Sequence, residues 1–550
     1  MPWPHRSRIG VERVQEDSEA RALYAGELLM FGFHEKDAGS LVARLRREGA
    51  PGGIIYFSRN AGSPTEIREM NRQIQAALAD PTVPSTPMLI AVDQEGGTVA
   101  RLTQGFSVFP SNMAFGAVYS AAPQRGADLC FKAALATARE LRDVGFNMNL
   151  APCVDVNTNP ENPVIGTRSY SDRPEVVAAL GTAAIQGITE GGVLAVAKHF
   201  PGHGDTSVDS HTGLPVQDWD DKYAATHLEP FRHAVRAKVP AIMAAHVGFR
   251  QVKEFQGPVP LPATLSHNVL TGLLRNQMGH SGLIVTDCMG MGAIASTYGT
   301  RRAAEMAVQA GADIVLVSHT PELQREAMNA LLYGPGPSDT RILDRAIKRV
   351  FRAKSQVAAW RPDPAAPELP PHDTLVRETA RASITLLRRT FDPAHLGGPP
   401  LVAVPFRYGS TMALEPGESP VAMAVRRKMP GAQVELYSAS PSVGEVERLS
   451  EKARRSPWVL FAASDMQLNS GQATLAKAMF EANPAFVLLD IATPYSVLAL
   501  PAAPYVVCSY GYAPCQLAAA LDVVTGACGP EGRLPVDVPG RFCFGSGLKG

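Results

Sequence analysis

Short apolar runs recur before residue 325 at a spacing that suits buried strands separated by helices. Eight are legible: ELLMFGF from Glu27, GGIIYFS from Gly52, MLIAVDQEGG from Met88, FNMNLAPCVDVN from Phe146, VLAVAKHF from Val193, AIMAAHVGF from Ala241, GLIVTDCMG from Gly282 and ADIVLVSHT from Ala312. Their cores are continuously apolar, the mark of strands buried on both faces. Between them the period lengthens to that of a helix. Val177, Leu180, Ala184 and Ile188 share one face behind an Asp172 cap and Pro174 in the first turn, and Leu228, Phe231 and Val235 repeat the spacing one unit later. Strands alternating with helices require right-handed parallel crossovers, and eight such units predict a (β/α)8 barrel.

The polar residues sharpen this reading, because they directly follow strands. Asp93 ends LIAV, Lys198 and His199 end LAVA, His246 ends IMAA and Asp287 ends LIVT. A barrel brings those ends to one rim, whereas an open doubly wound sheet would not gather so many. A helix is expected over residues 341–357, followed by a linker with five prolines between Arg361 and His372. From Asp373 the alternation restarts with SITLLRR, LVAVPF, QVELYSA, WVLFAASD, FVLLDI and YVVCSY. The expected organisation is therefore an α/β chain: a barrel over 1–360, a linker over 361–372 and a smaller α/β sandwich over 373–550.

Composition narrows the function. Lys plus Arg and Asp plus Glu each total 52, so no net charge draws the chain to nucleic acid or to an anionic membrane, and a neutral small-molecule ligand is expected. The polar start and the lack of a long apolar run lead us to expect a cytoplasmic protein. Seven scattered cysteines with no CxxC pair suit reduced thiols. No GxGxxG follows the first strand of the second domain and no GxxxxGK[ST] occurs, so no nucleotide cofactor is expected.

The chemistry concentrates in one stretch. Lys198, His199, His203, Asp205, Asp209 and His211 fall within fourteen residues of a glycine-rich loop, a crowding that costs repulsion unless a site uses it. In Asp209-Ser210-His211 a carboxylate two residues before an imidazole can fix its tautomer and let it exchange protons near neutrality; a plain loop ion pair is the structural alternative. Asp287 suits a rim nucleophile, or equally the cap of the next helix. Cys288 ranks lower as a nucleophile, lacking a base and lying beside an acid that raises its pKa. Asp93, Arg101, Arg168, Lys198 and His199 supply the carboxylates, cations and imidazole that a sugar or phosphate clamp needs.

KHFPGHGDTSVDSH, VDQEGG with the following RL, NPVIGTRS and TDCMGMGAI together resemble glycoside hydrolase family 3, in its bacterial β-N-acetylglucosaminidase branch. The resemblance covers nearly the whole barrel in family order, and GRLPVDVPG near the C-terminus is similar to the closing motif of the family's sandwich domain. It implies a retaining glycosidase acting on terminal β-linked N-acetylglucosamine in muropeptide recycling: Asp287 as nucleophile, His211 held by Asp209 as acid/base, and Asp93, Arg101, Arg168, Lys198 and His199 as sugar ligands. His246 matches a strand-end position without an assigned role. An imidazole acid/base also leaves phosphorolysis chemically open. Glu415 and Glu418, on a loop of the second domain, read as solvated carboxylates. Two other classes compete: a metal-dependent barrel hydrolase with His199, His203, Asp205, Asp209 and His211 as ligands, and a barrel that only binds sugar.

Overall fold

The computed structural model describes residues 26–78, 86–210, 212–252, 254, 260–333, 340–358, 369–406 and 419–549. All eight expected barrel strands are present: β1 (Leu29–Gly32), β2 (Gly53–Tyr56), β3 (Leu89–Val92), β4 (Met148–Asn149), β5 (Leu194–Phe200), β6 (Ala241–Ala244), β7 (Leu283–Thr286) and β8 (Val315–Val317). They pair in parallel and in sequence order from β1 to β7, while β1 also pairs with β8 at Leu29 and Val315. A bridge between Val285 and Ile314 closes the ring. Inside, Ile54, Leu89, Ala195, Ile242, Ile284 and Val315 are wholly excluded from solvent, which is why the strands read as unbroken apolar runs.

The six later runs form a second sheet: β9 (Thr385–Arg389), β10 (Leu401–Pro405), β11 (Gln433–Tyr437), β12 (Val459–Ala463), β13 (Phe486–Asp490) and β14 (Tyr505–Cys508). Its order is β9-β14-β13-β12-β10-β11, with β9 antiparallel to β14 and every other pair parallel. Separate apolar clusters cover its two faces, making it a layered sandwich. The chain is thus α/β, a closed barrel followed by a smaller sandwich.

The two sheets are docked by a helix with no polar stripe. Asn112–Ala121 follows β3, and its Met113, Ala114 and Ala117 enter one sandwich cluster. Around it, Ser111 Oγ donates to Tyr510 O and Ser171 Oγ donates to Pro535 O. Asp172 does not cap the helix Pro174–Glu190 as its sequence position suggests: Arg173 is the cap residue, and the Asp172 carboxylate instead accepts the Asp537 N–H at 2.8 Å. The tertiary partner outcompetes the local one.

Burial at this junction pushes the Asp172 carboxyl up to about 6, against the lowering effect of the Asp537 N–H. A folded value above the unfolded one, about 3.9, contributes stability that is present below pH ~4 and lost as pH rises through ~6, by at most about 3 kcal/mol. Asp172→Asn keeps an acceptor for Asp537 but does not titrate. Its thermal midpoint should match wild type at pH ~3.5 and exceed it at pH ~7.5; parallel pH profiles for the two proteins would refute the assignment.

Candidate active site

The C-terminal strand ends converge as the sequence implies. Asp93, Arg101, Arg168, Lys198, His199 and Asp287 all border one cleft of about 820 Å³. Lys198 and His199 lie at the end of β5, and Arg168 sits in the short turn Gly166–Arg168. The Lys198 side chain is 2% exposed, and its Nζ lies 2.6 Å from Asp93 Oδ1 and 2.7 Å from Glu95 Oε1. Arg168 grips Glu95 in a fork, Nη2 to Oε1 at 2.8 Å and Nε to Oε2 at 3.0 Å, and its Nη2 stands 3.3 Å from His199 Nε2. Burial alone would raise the Glu95 pKa, but the two cations hold it far below the ordinary carboxylate range.

A second buried carboxylate organises the other half of the site. Asp155 Oδ2 lies 2.7 Å from His199 Nδ1 and also accepts the His199 N–H, while Oδ1 accepts the His203 N–H at 2.6 Å. Desolvation opposes its charge, but His199 and His203 overcome that, and Asp155 stays ionised. His203 is held neutral by burial, with its pKa down to about 4, and its ring nitrogens face Thr206 Oγ1 at 2.7 Å and Ser210 Oγ at 3.1 Å. Asp205 accepts from Thr158 Oγ1 at 2.6 Å. His203 and Asp205 therefore bind the loop to its surroundings. Gly204 has no room for a side chain, because a Cβ there would sit 1.8 Å from the Val156 carbonyl oxygen.

Farther along the loop, Asp209 O accepts the N–H groups of Thr212 and Gly213 at 3.0 and 3.1 Å. Ser210 borders the cleft, and its carbonyl accepts the Ala293 N–H at 3.2 Å, which ties this loop to the segment following Asp287. His211, Glu415 and Glu418 lie outside the described residues.

Asp287 follows β7. Its backbone N–H reaches Ala244 O, and its Oδ1 accepts the Cys288 N–H at 2.7 Å. Burial raises its pKa, but His246, His199, the Cys288 N–H and Lys198 together outweigh that and keep it ionised. His246 is fully buried, with Nδ1 2.9 Å from Thr264 Oγ1 and Nε2 3.0 Å from Cys288 O, so both ring nitrogens are engaged. The Cys288 thiol is raised by burial and accepts the Ser318 N–H at 3.3 Å. A serine hydroxyl can accept the same bond, so Cys288→Ser should change turnover by less than about threefold, within the few tenths of a kcal/mol expected of a tolerated swap; a collapse in kcat would give the thiol a chemical role.

Glu95 and Asp155 escaped the sequence reading. Glu95 stands within the same DQEGG motif as Asp93, and Asp155 follows the β4 run in PCVDVN, so both carried the strand-end signal. The sandwich residues on the cleft, including Asp465, Thr493 and Tyr512, had none, since only tertiary docking brings them there. Asp465 adopts a left-handed backbone (φ 51°) and accepts from the Thr493 N–H and from its hydroxyl, which Asp465 Oδ1 holds at 2.5 Å.

The metal-site expectation finds a poor donor set. His199, His203 and Asp205 turn to separate partners, as above. Among the described residues the tightest candidate group is Cys153, Asp155 and His199, with ligand atoms within 4.8 Å of one another. Its thiol is driven far up by burial and by Asp155, and the Arg168 guanidinium flanks His199, so a cation would meet a protonated thiol and a fixed positive charge. These residues do not fit a metal.

Residues 25–353 match the family model described as "Glycosyl hydrolase family 3 N terminal domain". Beta-hexosaminidase A of Pseudoalteromonas piscicida is 42% identical over 275 residues, which is 48% of this chain and 45% of that protein, so the chain spans less than half of that relative's length. A beta-hexosaminidase of Xylella fastidiosa (strain M23) is 36% identical over 290 residues, 52% of this chain and 81% of the relative. The structure of a glycoside hydrolase family 3 beta-N-acetylglucosaminidase from Paenibacillus sp. str. FPU-7 superimposes with a TM-score of 0.85 at 35% identity, covering 94% of this chain and 98% of that one. With barrel, sandwich and rim residues in the same order as the motifs that first suggested it, the chain belongs to glycosyl hydrolase family 3.

Proposed function

We propose that this protein is a retaining glycosidase that removes terminal β-linked N-acetylglucosamine. The observation that carries the reading is an ionised Asp287 sharing one cleft with Asp93, Arg168, Lys198 and His199, the last three locked in place by Glu95 and Asp155. Asp287 attacks the anomeric carbon and forms a glycosyl ester as the bond to the leaving oxygen breaks. His211, oriented by Asp209, gives that oxygen a proton and then takes one from the water that cleaves the ester, restoring the free carboxylate. An imidazole in this role departs from the usual pair of carboxylates. Asp93, Arg101, Arg168, Lys198 and His199 replace the water lost by the sugar hydroxyls and acetamide.

In this reading residues 1–360 form the catalytic unit, residues 373–550 wall its cleft, and the substrate comes from muropeptide recycling in the cytoplasm. Among the described residues no helix is long and apolar enough to cross a membrane. Phosphorolysis is the second reading: once His211 has given up its proton it is neutral and does not repel a phosphate attacking the glycosyl ester.

Release of 4-nitrophenol from its β-N-acetylglucosaminide and its β-glucoside, with and without phosphate, tests the proposal. Preference for the acetamido sugar with free N-acetylglucosamine as product supports the hydrolase. Sugar 1-phosphate as the main product would make it a phosphorylase. Cleavage of neither glycoside would refute both.

A further inference from the structure

Residues 157–168, which follow β4, form a layer between the sandwich and the loop that leads to Asp209. From the sandwich side, Gln467 Nε2 donates to Pro160 O at 3.3 Å, and the Tyr495 hydroxyl accepts from Asn157 Nδ2 at 3.3 Å. A Cβ at Gly166 would sit 3.2 Å from Thr493 Cγ2, so the Thr493 methyl packs directly on that turn. On the loop side, Thr158 Oγ1 donates to Asp205, and Asn159 Nδ2 donates to Thr206 O at 3.3 Å. Asn162 is buried between the two sides. Its Nδ2 donates to His203 O at 2.8 Å, and its Oδ1 accepts the N–H groups of Val164 and Ile165 at 2.8 and 2.7 Å. The sandwich therefore holds the chain on both sides of Asn162, at Pro160 and at Gly166, and Asn162 holds the loop at His203.

The sandwich end of this arrangement is tightly knit. Thr493 Oγ1 donates to Asp465 Oδ1 at 2.5 Å and accepts from Gln467 Nε2 at 3.3 Å. Asp490 Oδ2 accepts the Ser496 N–H at 3.1 Å, and Ser496 Oγ accepts the Met466 N–H at 3.2 Å, which ties the turn after β12 to the turn after β13. Two features of this junction oppose stability. Asp465 is held in the left-handed region, at φ 51°, where a residue with a side chain is strained. Gln467 Oε1 is buried with no hydrogen-bond partner among the described residues, a penalty that an apolar side chain would avoid. What glutamine supplies there is its Nε2 donor. Gln467 does not border the cleft, so it can reach the substrate only through other residues.

We infer that Gln467 and Thr493 are positioning residues for proton transfer: by fixing the chain around Asn162 they set the loop that carries Asp209 and His211 against the leaving oxygen. The second domain then aligns an acid that it does not itself supply. The inference rests on the reading of His211 as acid/base and assigns the alignment of that site to the sandwich.

Aryl N-acetyl-β-glucosaminides of graded leaving-group acidity test it, because a dinitrophenolate departs without a proton and a phenolate needs one. Gln467→Met should lower kcat/KM for the phenyl glycoside roughly 10-fold, part of what a positioned general acid contributes, and leave the dinitrophenyl glycoside within about threefold. The dependence of kcat/KM on leaving-group acidity should therefore steepen. Thr493→Val keeps the methyl on Gly166 and removes the hydroxyl. It should steepen the dependence in the same sense, and it carries the test if Gln467→Met does not fold. The double variant should lose little more than either single one, as members of one strut do. A loss equal across the series, or no loss at all, would overturn the inference. So would a loss confined to Thr493→Val that follows the size of the leaving group and not its acidity, which would make Thr493 a substrate contact. Each of these outcomes leaves the parent reading standing, provided that wild type cleaves the series; cleavage of no N-acetylglucosaminide by wild type would sink the parent reading and this inference with it.

Discussion

Asp287→Asn should lower turnover of an aryl N-acetylglucosaminide by at least roughly 10³-fold while leaving the fold intact, because it removes the atom that forms the covalent bond and little else. The amide is nearly isosteric with the carboxylate, and its oxygen can still accept the Cys288 N–H that now holds Oδ1. The carboxylate is charged because His246, His199, the Cys288 N–H and Lys198 outweigh desolvation, so its loss gives up a small net stabilisation. The thermal midpoint should therefore be unchanged or slightly lowered. A variant with wild-type turnover would return Asp287 to the role of a helix-capping residue. Lost activity together with a large fall in the midpoint would show only misfolding.

Glu95→Gln should do the opposite: it damages the scaffold first and chemistry as a consequence. Glu95 is 2% exposed at its side chain and holds Arg168 in a fork and Lys198 by one oxygen. Gln retains a single acceptor oxygen, so one cation loses its partner on the cleft wall. Breaking such a pair costs about 3–5 kcal/mol. Lys198 keeps Asp93 at 2.6 Å, so Arg168 is the group expected to move. Arg168 is also the guanidinium nearest His199, and its displacement should raise KM more than it lowers kcat. Calorimetry with steady-state kinetics checks both parts; a variant as stable as wild type with an unchanged KM would mean that the network does not set the geometry of the cleft.

The contrast between these two acids shows how far the sequence could be read. A strand buried on both faces announces itself by continuous apolar residues, so all eight barrel strands and all six sandwich strands were legible, as was the convergence of Asp93, Arg168, Lys198, His199 and Asp287 on one cleft. Glu95 and Asp155 were not singled out, because a residue that orients others looks in sequence like any polar residue after a strand; only distances reveal that each holds two partners. Asp172 failed for a related reason, since capping is a local preference and the Asp537 N–H lies across the junction between the two sheets. Asp465 and Thr493 had no local signal, as their place on the cleft depends on the helix Asn112–Ala121 burying Met113 and Ala117 in the sandwich.

The central claim is that Asp287 forms a covalent bond to the sugar, and trapping that bond is its most direct test. Wild type treated with a 5-fluoro N-acetylglucosaminyl donor, which slows breakdown of a glycosyl ester more than its formation, should gain the mass of one fluorinated sugar residue per chain. Peptide mapping should place the label on Asp287, and Asp287→Asn should take up none. A label on another residue, or productive turnover of the donor with no adduct in wild type, would contradict a double displacement through Asp287.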